Sequence, residues 1–380
     1  MVLFIAIYFL IYGAIHFYFY QKLRASFSPE WKLNLLIILL LLLMFLAPLL
    51  IHGLEKAGLA FFGRLLAYIG YTWLGIIFLF LSVSLLLDLY YLVLQLTNHI
   101  AKADLSNLFL SPLNRFCIPF GLALLISVYG FFEARNLRIE RITIESPKIP
   151  PEVGEIRIAQ ISDVHLGLIV GERRLKQIIN ILKSEAPDMI VSTGDLLDAS
   201  ICDLEGIAER LNQVDPKYGK FAVTGNHEFY AGLRQALKCT EEAGFTILRG
   251  EGMEIDGFIN VVGVDDPEAI RFGLGERVDE KKLLESLPRD QFVLFLKHRP
   301  NVSENTLGMF DLMLSGHTHK GQIFPFNLIT GPFFTANAGL KKLSADSYLY
   351  VSRGTGTWGP PIRFLAPPEV TVIRIVASQK

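Results

Sequence analysis

The sequence predicts an α-helical membrane region of about four spans followed by an α/β domain. Long uncharged apolar runs are confined to the first third, charge is spread unevenly, and beyond residue 136 short apolar runs alternate with amphipathic stretches. Of 380 residues, 51% are hydrophobic and 19% charged, and the mean hydropathy of +0.40 is high for a water-soluble chain. Residues 1–132 hold seven basic and four acidic side chains, whereas the remaining 29 basic and 33 acidic ones lie downstream. The length allows two domains, expected at 1–135 (transmembrane helices) and 136–380.

A span needs roughly 20 apolar residues. The runs at 2–20, 33–51, 65–87 and 116–132 meet or approach that length, and 33–51 is almost pure Leu and Ile. A cleaved signal peptide is a poor reading of the first run, which lacks a basic start and a small-residue cleavage site. The third run stays apolar past Asp88 to about Leu96, so a fifth span has room there. Asp88 itself reads as a packed polar residue at a helix end, the blander reading, or as an interior group facing the bundle. With four spans, Lys22, Arg24, Lys32, Lys102 and Arg115 lie on one side and Lys56, Arg64, Arg135, Arg138 and Arg141 on the other. That balance fixes no orientation, although the first hairpin favours a cytoplasmic first loop and hence an external C-terminal domain. The lipid bilayer is the expected partner.

After Phe132 the pattern changes. Alternation at 137–144 and short apolar runs at 156–161, 189–192, 221–223, 259–264, 292–297, 312–314, 348–352 and 370–375 predict strands. Helical spacing predicts helices at 171–185, 233–243 and 279–287. Strand–helix alternation followed by strand-rich sequence points to two sheets with helices outside.

The informative polar residues each follow a predicted strand. They are Asp163 and His165, Asp195, Asn226 with His227 and Glu228, His298, and His317 with His319. Loops at the carboxyl ends of strands are where α/β proteins build sites. Of eight histidines, all five outside the membrane region sit in these loops. A single loop histidine is usually solvated or structural, but five coinciding with strand-end Asp and Asn are not explained that way. Asp163 and His165, like His317 and His319, are two apart, so in an extended segment each pair points to one side. Oxygen and nitrogen donors without thiolate suit Mn, Fe or Zn, and one bridging carboxylate would hold two cations roughly 3.5–4 Å apart. The three cysteines are too few and scattered for a thiolate site or a disulfide framework. No basic stripe is present, so nucleic acid is not an expected partner. No Gly-x-Ser-x-Gly element is present, which argues against a serine hydrolase.

In order, Asp-x-His, Gly-Asp, Gly-Asn-His-Glu, a lone His and Gly-His-x-His resemble the calcineurin-like metallophosphoesterases, over residues 140–376. The segment Ile161-Ser162-Asp163-Val164-His165-Leu166-Gly167 is similar to a bacterial membrane-associated branch. That branch includes enzymes that hydrolyse the pyrophosphate of UDP-diacylglucosamine. The resemblance implies a four-layer αββα sandwich and two divalent metal ions (Mn, Zn or Fe). It implies one ion on Asp163, His165 and His319, the other on Asn226, His298 and His317, and Asp195 bridging them. It makes His227 the catalytic residue that donates a proton or hydrogen bond to the leaving oxygen and lets Glu228 orient a histidine. The implied reaction is hydrolysis of a phosphodiester or pyrophosphate by metal-activated hydroxide, in an integral protein of a bacterial cell membrane.

Two other readings remain open to the sequence. One is a protein phosphatase or nuclease of the same fold, and the other a non-catalytic membrane module, against which the intact ligand set and His227 argue. Three further residues bear on substrate. Arg299 follows His298 and is either a phosphate contact or an exposed base. Phe324 and Phe326 belong to the uncharged, aromatic-rich stretch 321–334, where Pro325, Gly331 and Pro332 oppose a regular helix. Next to the metals and close to the bilayer, this stretch predicts a phospholipid or lipid-linked phosphate substrate, unless its side chains simply pack into the domain.

Overall fold

The computed structural model describes residues 2–102, 104–198 and 206–378. The chain divides into two compact units, Met1–Phe132 with Gly359–Ile362 and Glu133–Trp358 with Arg363–Lys380.

The first unit is built on helices α1 (Val2–Phe27), α2 (Trp31–Lys56), α3 (Ala60–Ala101) and α4 (Pro112–Arg135). Among the described residues, Trp31–Lys56, Ala60–Ala101 and Ser106–Arg135 are long and apolar enough to cross a membrane. The span expected at 2–20 falls on α1, and the side chains of residues 1–5 lie outside the described residues. The third run is one uninterrupted helix of 42 residues, so the possible fifth span has no helix of its own. Pro48 and Pro119 sit inside α2 and α4, as membrane helices tolerate when neighbouring groups take up the freed backbone.

Two polar clusters in this unit pair within the bundle. Asp88 is not at a helix end, since α3 runs on to Ala101. Its carboxylate accepts from Lys22, from Tyr18 Oη at 2.6 Å and from Arg115 Nη2 at 3.2 Å, tying α1, α3 and α4 together. Buried His16 donates Nδ1–H to the Tyr12 carbonyl at 2.8 Å and accepts Trp73 Nε1–H at 3.0 Å, which fixes its tautomer.

The second unit holds two six-stranded mixed sheets. Its strands are β1 (Arg138–Ser146), β2 (Glu155–Ile161), β3 (Met189–Ser192), β4 (Lys220–Ala222), β5 (Thr246–Ile247), β6 (Glu251–Ile255), β7 (Ile259–Gly263), β8 (Phe292–Leu296), β9 (Leu312–Ser315), β10 (Gly339–Lys342), β11 (Tyr348–Val351) and β12 (Glu369–Ala377). The orders are β1-β12-β2-β3-β4-β5 and β10-β11-β9-β8-β7-β6. Strands β2 to β5 run parallel, as do β7, β8, β9 and β11. The continuous apolar runs of β3 and β8 are buried along their whole length, as central parallel strands covered on both faces must be.

Side-chain alternation along β8 separates the layers. Phe292, Leu294 and Leu296 enter the core between the sheets with Ile158, Val191 and Phe221, whereas Val293 and Phe295 face Leu284 of helix α10 (Glu280–Glu285). On the far side, α5 (Glu172–Glu185) and α8 (Leu233–Glu242) cover the first sheet through Leu175, Ile178, Leu182 and Ala236. Short helices α6 (Ile207–Asn212), α7 (Asn226–Ala231) and α9 (Glu268–Arg271) lie between strands. The layering is helix, sheet, sheet, helix. The stretch expected to resist helix forms α11 (Phe326–Thr330), with Pro325 as N-cap and Gly331 as C-cap. The proline and glycine limit it to little more than one turn instead of preventing it.

Leu294 lies fully buried between the sheets. Leu294→Ala should cost ~2–5 kcal/mol, whereas Leu328→Ala, at a side chain 64% exposed, should stay within about 0.5 kcal/mol. Denaturant titration of the full chain in detergent, followed by near-UV circular dichroism, compares the two, and equal shifts would contradict this core assignment.

Candidate metal centre

The parallel strands of both sheets deliver their carboxyl ends to one place. From the first sheet, β2 leads into Asp163 and His165, β3 into Asp195, and β4 into Asn226. From the second, β8 leads into His298 and β9 into His317 and His319. The loops are stitched together through the backbone. Asp163 N–H donates to Gly194 O and His165 N–H to Asp195 O, both at 3.0 Å, and Gly316 N–H donates to His298 O at 2.9 Å. His317 N–H reaches Asp163 Oδ1 at 2.8 Å, joining the two sheets.

The loops are not extended, contrary to the reason given for pairing residues two apart. Asp163, His165, Asp195, His317 and His319 all have φ between 48° and 69°. This left-handed region costs a non-glycine residue ~1–3 kcal/mol, which the cross-loop hydrogen bonds offset. The side chains converge because the backbone coils tightly. The loops also leave no spare volume, since a Cβ on Gly225 would lie 2.1 Å from Asp195 Oδ1.

Donor atoms of Asp163, His165 and His319 lie within 4.8 Å of one another, and so do those of Asp195, His298 and His317. Asp195 Oδ2 is 3.2 Å from His298 Nε2 and 3.8 Å from His165 Nε2, between the two groups. Asn226 Oδ1 is 3.3 Å from His298 Nε2. His165 Nε2 faces His319 Nε2 at 3.1 Å, and His317 Nδ1 faces His298 Nε2 at the same distance.

Electrostatics fit this donor set to cations. Burial lowers His165 to about 4 and depresses His317 and His319 as well, so these imidazoles are neutral with lone pairs available. Burial raises Asp163 to about 6, and Asp195 adds to the rise. Burial opposes charge on Asp195 too, yet His298 and His227 hold it well below the usual carboxylate range. Burial opposes charge on His298, yet Asp195 raises it to about 10, which marks where positive charge is favoured. His298 Nδ1 lies 2.7 Å from the Thr193 carbonyl, a contact that directs Nε2 into the pit.

His227 N–H donates to Asp195 Oδ1 at 2.8 Å, and its Nδ1 lies 2.9 Å from Asp198 Oδ1. Burial opposes its charge, but Asp195 and Asp198 raise it to about 9. Asp198 was not singled out from the sequence, although its place three residues after Asp195 was the available signal. Glu228 does not orient a histidine. Its carboxylate accepts backbone N–H groups from Gly225 (2.7 Å), Leu196 (2.8 Å), Asp195 (3.0 Å) and Leu197 (3.3 Å), locking the Asp195 loop to the Asn226 loop.

The three substrate candidates separate. Arg299 is half-buried rather than an exposed base, and its guanidinium is held by Asp266 at 2.7 and 2.9 Å and by Glu268 at 3.4 Å. Phe324 and Phe326 are each 39% exposed. Phe324 lines a cavity of about 200 Å³ with Lys320, Asn327, Phe364 and Leu365.

Glu228→Ala should leave buried N–H donors unpaired, at ~1–3 kcal/mol each. We expect a lower melting temperature together with lower metal content, read by differential scanning fluorimetry and elemental analysis on the full chain. Unchanged values of both would mean that Glu228 does not hold the loops.

Residues 156–321 match the calcineurin-like phosphoesterase family. An uncharacterized metallophosphoesterase of Aquifex aeolicus is 40% identical over 255 residues, covering 67% of this chain and 97% of that protein. One from Campylobacter jejuni is 32% identical and covers 66% of this chain and 68% of its own. A transmembrane protein with metallophosphoesterase domain from Danio rerio is 31% identical over 65% of this chain, and the match spans 60% of its own length. With the ligand loops already assembled in the fold, these relationships show that the chain belongs to the calcineurin-like metallophosphoesterase family.

Proposed function

We propose that this chain is an integral, four-span protein of a bacterial cell membrane whose C-terminal domain hydrolyses a phosphodiester or pyrophosphate bond of a lipid-linked substrate. A pyrophosphate like that of UDP-diacylglucosamine is one member of the class. The observation that carries the reading is Asp195 Oδ2, placed between His298 at 3.2 Å and His165 at 3.8 Å.

Asp163, His165 and His319 would hold one divalent cation, Asn226, His298 and His317 the second, and Asp195 both. Bound there, such cations would polarise a phosphoryl oxygen as Lewis acids and lower the pKa of bound water towards neutrality. The chain's own groups do the rest. Asp198 accepts the Nδ1–H of His227, which leaves Nε2–H free to give its proton to the leaving oxygen as the P–O bond breaks. The water oxygen forms the new bond to phosphorus, and no side chain becomes covalently attached. Phe324 and Phe326, exposed in the stretch following His319, supply an apolar surface for the lipid portion.

Asp195→Asn should lower metal content and hydrolysis together, whereas His227→Ala should keep both metals and lose ~10²–10⁴-fold in rate. Metal analysis beside phosphodiester hydrolysis reads both, and a His227→Ala protein that has lost metal would make His227 a ligand instead. Replacing Phe324 and Phe326 by Ser should reduce hydrolysis of a lipid phosphodiester in micelles at least tenfold more than that of a soluble one. Equal rates on both substrates, in a variant that melts normally, would remove the lipid assignment.

A further inference from the structure

Helix α3 is longer than a bilayer requires. Its charged residues Arg64 and Asp88 bracket an uncharged run, 65–87, that rises ~35 Å and so spans the ~30 Å hydrocarbon core. Asp88, Lys22 and Arg115 close that run with a charged cluster. The helix does not stop there. Residues 89–101 continue it for a further ~20 Å, beyond the headgroup layer as well.

Two faces of this overhang differ. Tyr91, Leu94 and Asn98 share one of them by helical spacing, and the chain's own segment 105–115 covers it. Tyr91 meets Phe109 edge-on with ring centroids 4.8 Å apart, and the Arg115 guanidinium lies 4.2 Å over the Tyr91 ring. Leu94 is buried, and Asn98 Oδ1 accepts Leu105 N–H at 3.5 Å. The other face holds Leu86, Leu89, Val93, Leu96 and Ile100, each 51–79% exposed. Their spacing of 3, 4, 3 and 4 residues is the a/d repeat of a coiled coil. Upstream the exposed stripe ends, because Leu79, one heptad before Leu86, is buried within the bundle. The uncovered repeat therefore begins where α3 leaves its neighbours.

We propose that this seam pairs with the same seam of a second copy of the chain, as a parallel two-stranded coiled coil that makes the protein a homodimer. Acyl chains cover apolar faces inside the hydrocarbon core, but from Leu89 onward the seam lies beyond it. Copies inserted with one orientation in one bilayer hold their α3 helices parallel, so the seam meets itself in register. Leu86, Val93 and Ile100 fall at a, and Leu89 and Leu96 at d. Two of the three a residues are β-branched and both d residues are leucine, the combination that favours two strands over three or four. The flanking e and g residues Tyr90, Leu92 and Thr97 are uncharged, so no like charges repel the second copy. So short a repeat would be marginal in a free peptide, where helix nucleation is costly. Here the membrane span has already nucleated the helix. The inference rests on α3 crossing a membrane, and not on the metal centre.

The test is disulfide trapping of the full chain in phosphatidylcholine vesicles. Cys117, Cys202 and Cys239 are replaced by Ser, and Val93→Cys, Leu96→Cys and Gln95→Cys are made singly in that background. A parallel coiled coil sets equal a or d residues opposite one another within reach of a disulfide and turns Gln95, at c, away. Copper–phenanthroline oxidation should link Val93→Cys or Leu96→Cys chains into dimers about tenfold faster than Gln95→Cys chains. In the parent cysteine background, Leu96→Glu should convert dimer to monomer by sedimentation equilibrium in density-matched detergent, with metal content unchanged by elemental analysis. Equal linking at Gln95, no linking at either Val93 or Leu96, a parent that sediments as a trimer or tetramer, or a Leu96→Glu chain that stays dimeric would each overturn the proposal. Release of the parent from vesicles by an alkaline carbonate wash would instead overturn the membrane reading, and this inference with it.

Discussion

The carboxylate of Asp195 is where the two sheets meet chemically, and the rest of the site is arranged around it. It enters from the first sheet, lies 3.2 Å from a histidine of the second, and accepts the backbone N–H of His227. A buried carboxylate is costly without compensating charge or donors. Here the compensation comes from the His227 N–H and the imidazoles of His298 and His165, carried on loops that hold one another in left-handed conformations through shared backbone hydrogen bonds. The strain and the hydrogen bonding are two sides of one device: neither loop keeps its shape without the other. Glu228 extends this by binding four N–H groups from the Asp195 and Asn226 loops.

Much of the second unit was legible because its central strands are apolar along their whole length and its candidate ligands follow them directly. Strand β3 coincides with the predicted run at 189–192, and α5 with the 3.6-residue spacing of Leu175, Ile178 and Leu182. Strands β5, β6 and β10 were missed for identifiable reasons. The first has two residues, and the others carry Glu251, Glu254, Lys341 and Lys342 on exposed positions. Charge on an edge strand blocks unwanted pairing and erases the hydrophobic signal.

The residues that support the candidate ligands were less legible than the candidates themselves. Asp198 carries a spacing signal, but the buried Arg363 reaches His319 Nδ1 and the carbonyls of Gly356 and Ala366 through tertiary contacts, which leave no periodicity. The left-handed backbone at Asp163 and His165 was likewise hidden, since nothing in those side chains demands it. In the membrane region, apolar run length located the helices, while the pairing of Asp88 with Lys22, Tyr18 and Arg115 needed coordinates.

The central claim is that one carboxylate joins two cations. Electron paramagnetic resonance of the Mn-loaded full chain tests it directly. The account predicts about two Mn ions per chain with an exchange-coupled spectrum, and loss of that coupling in Asp195→Asn. Two Mn ions giving only uncoupled six-line signals, or a chain that saturates with one, would contradict it.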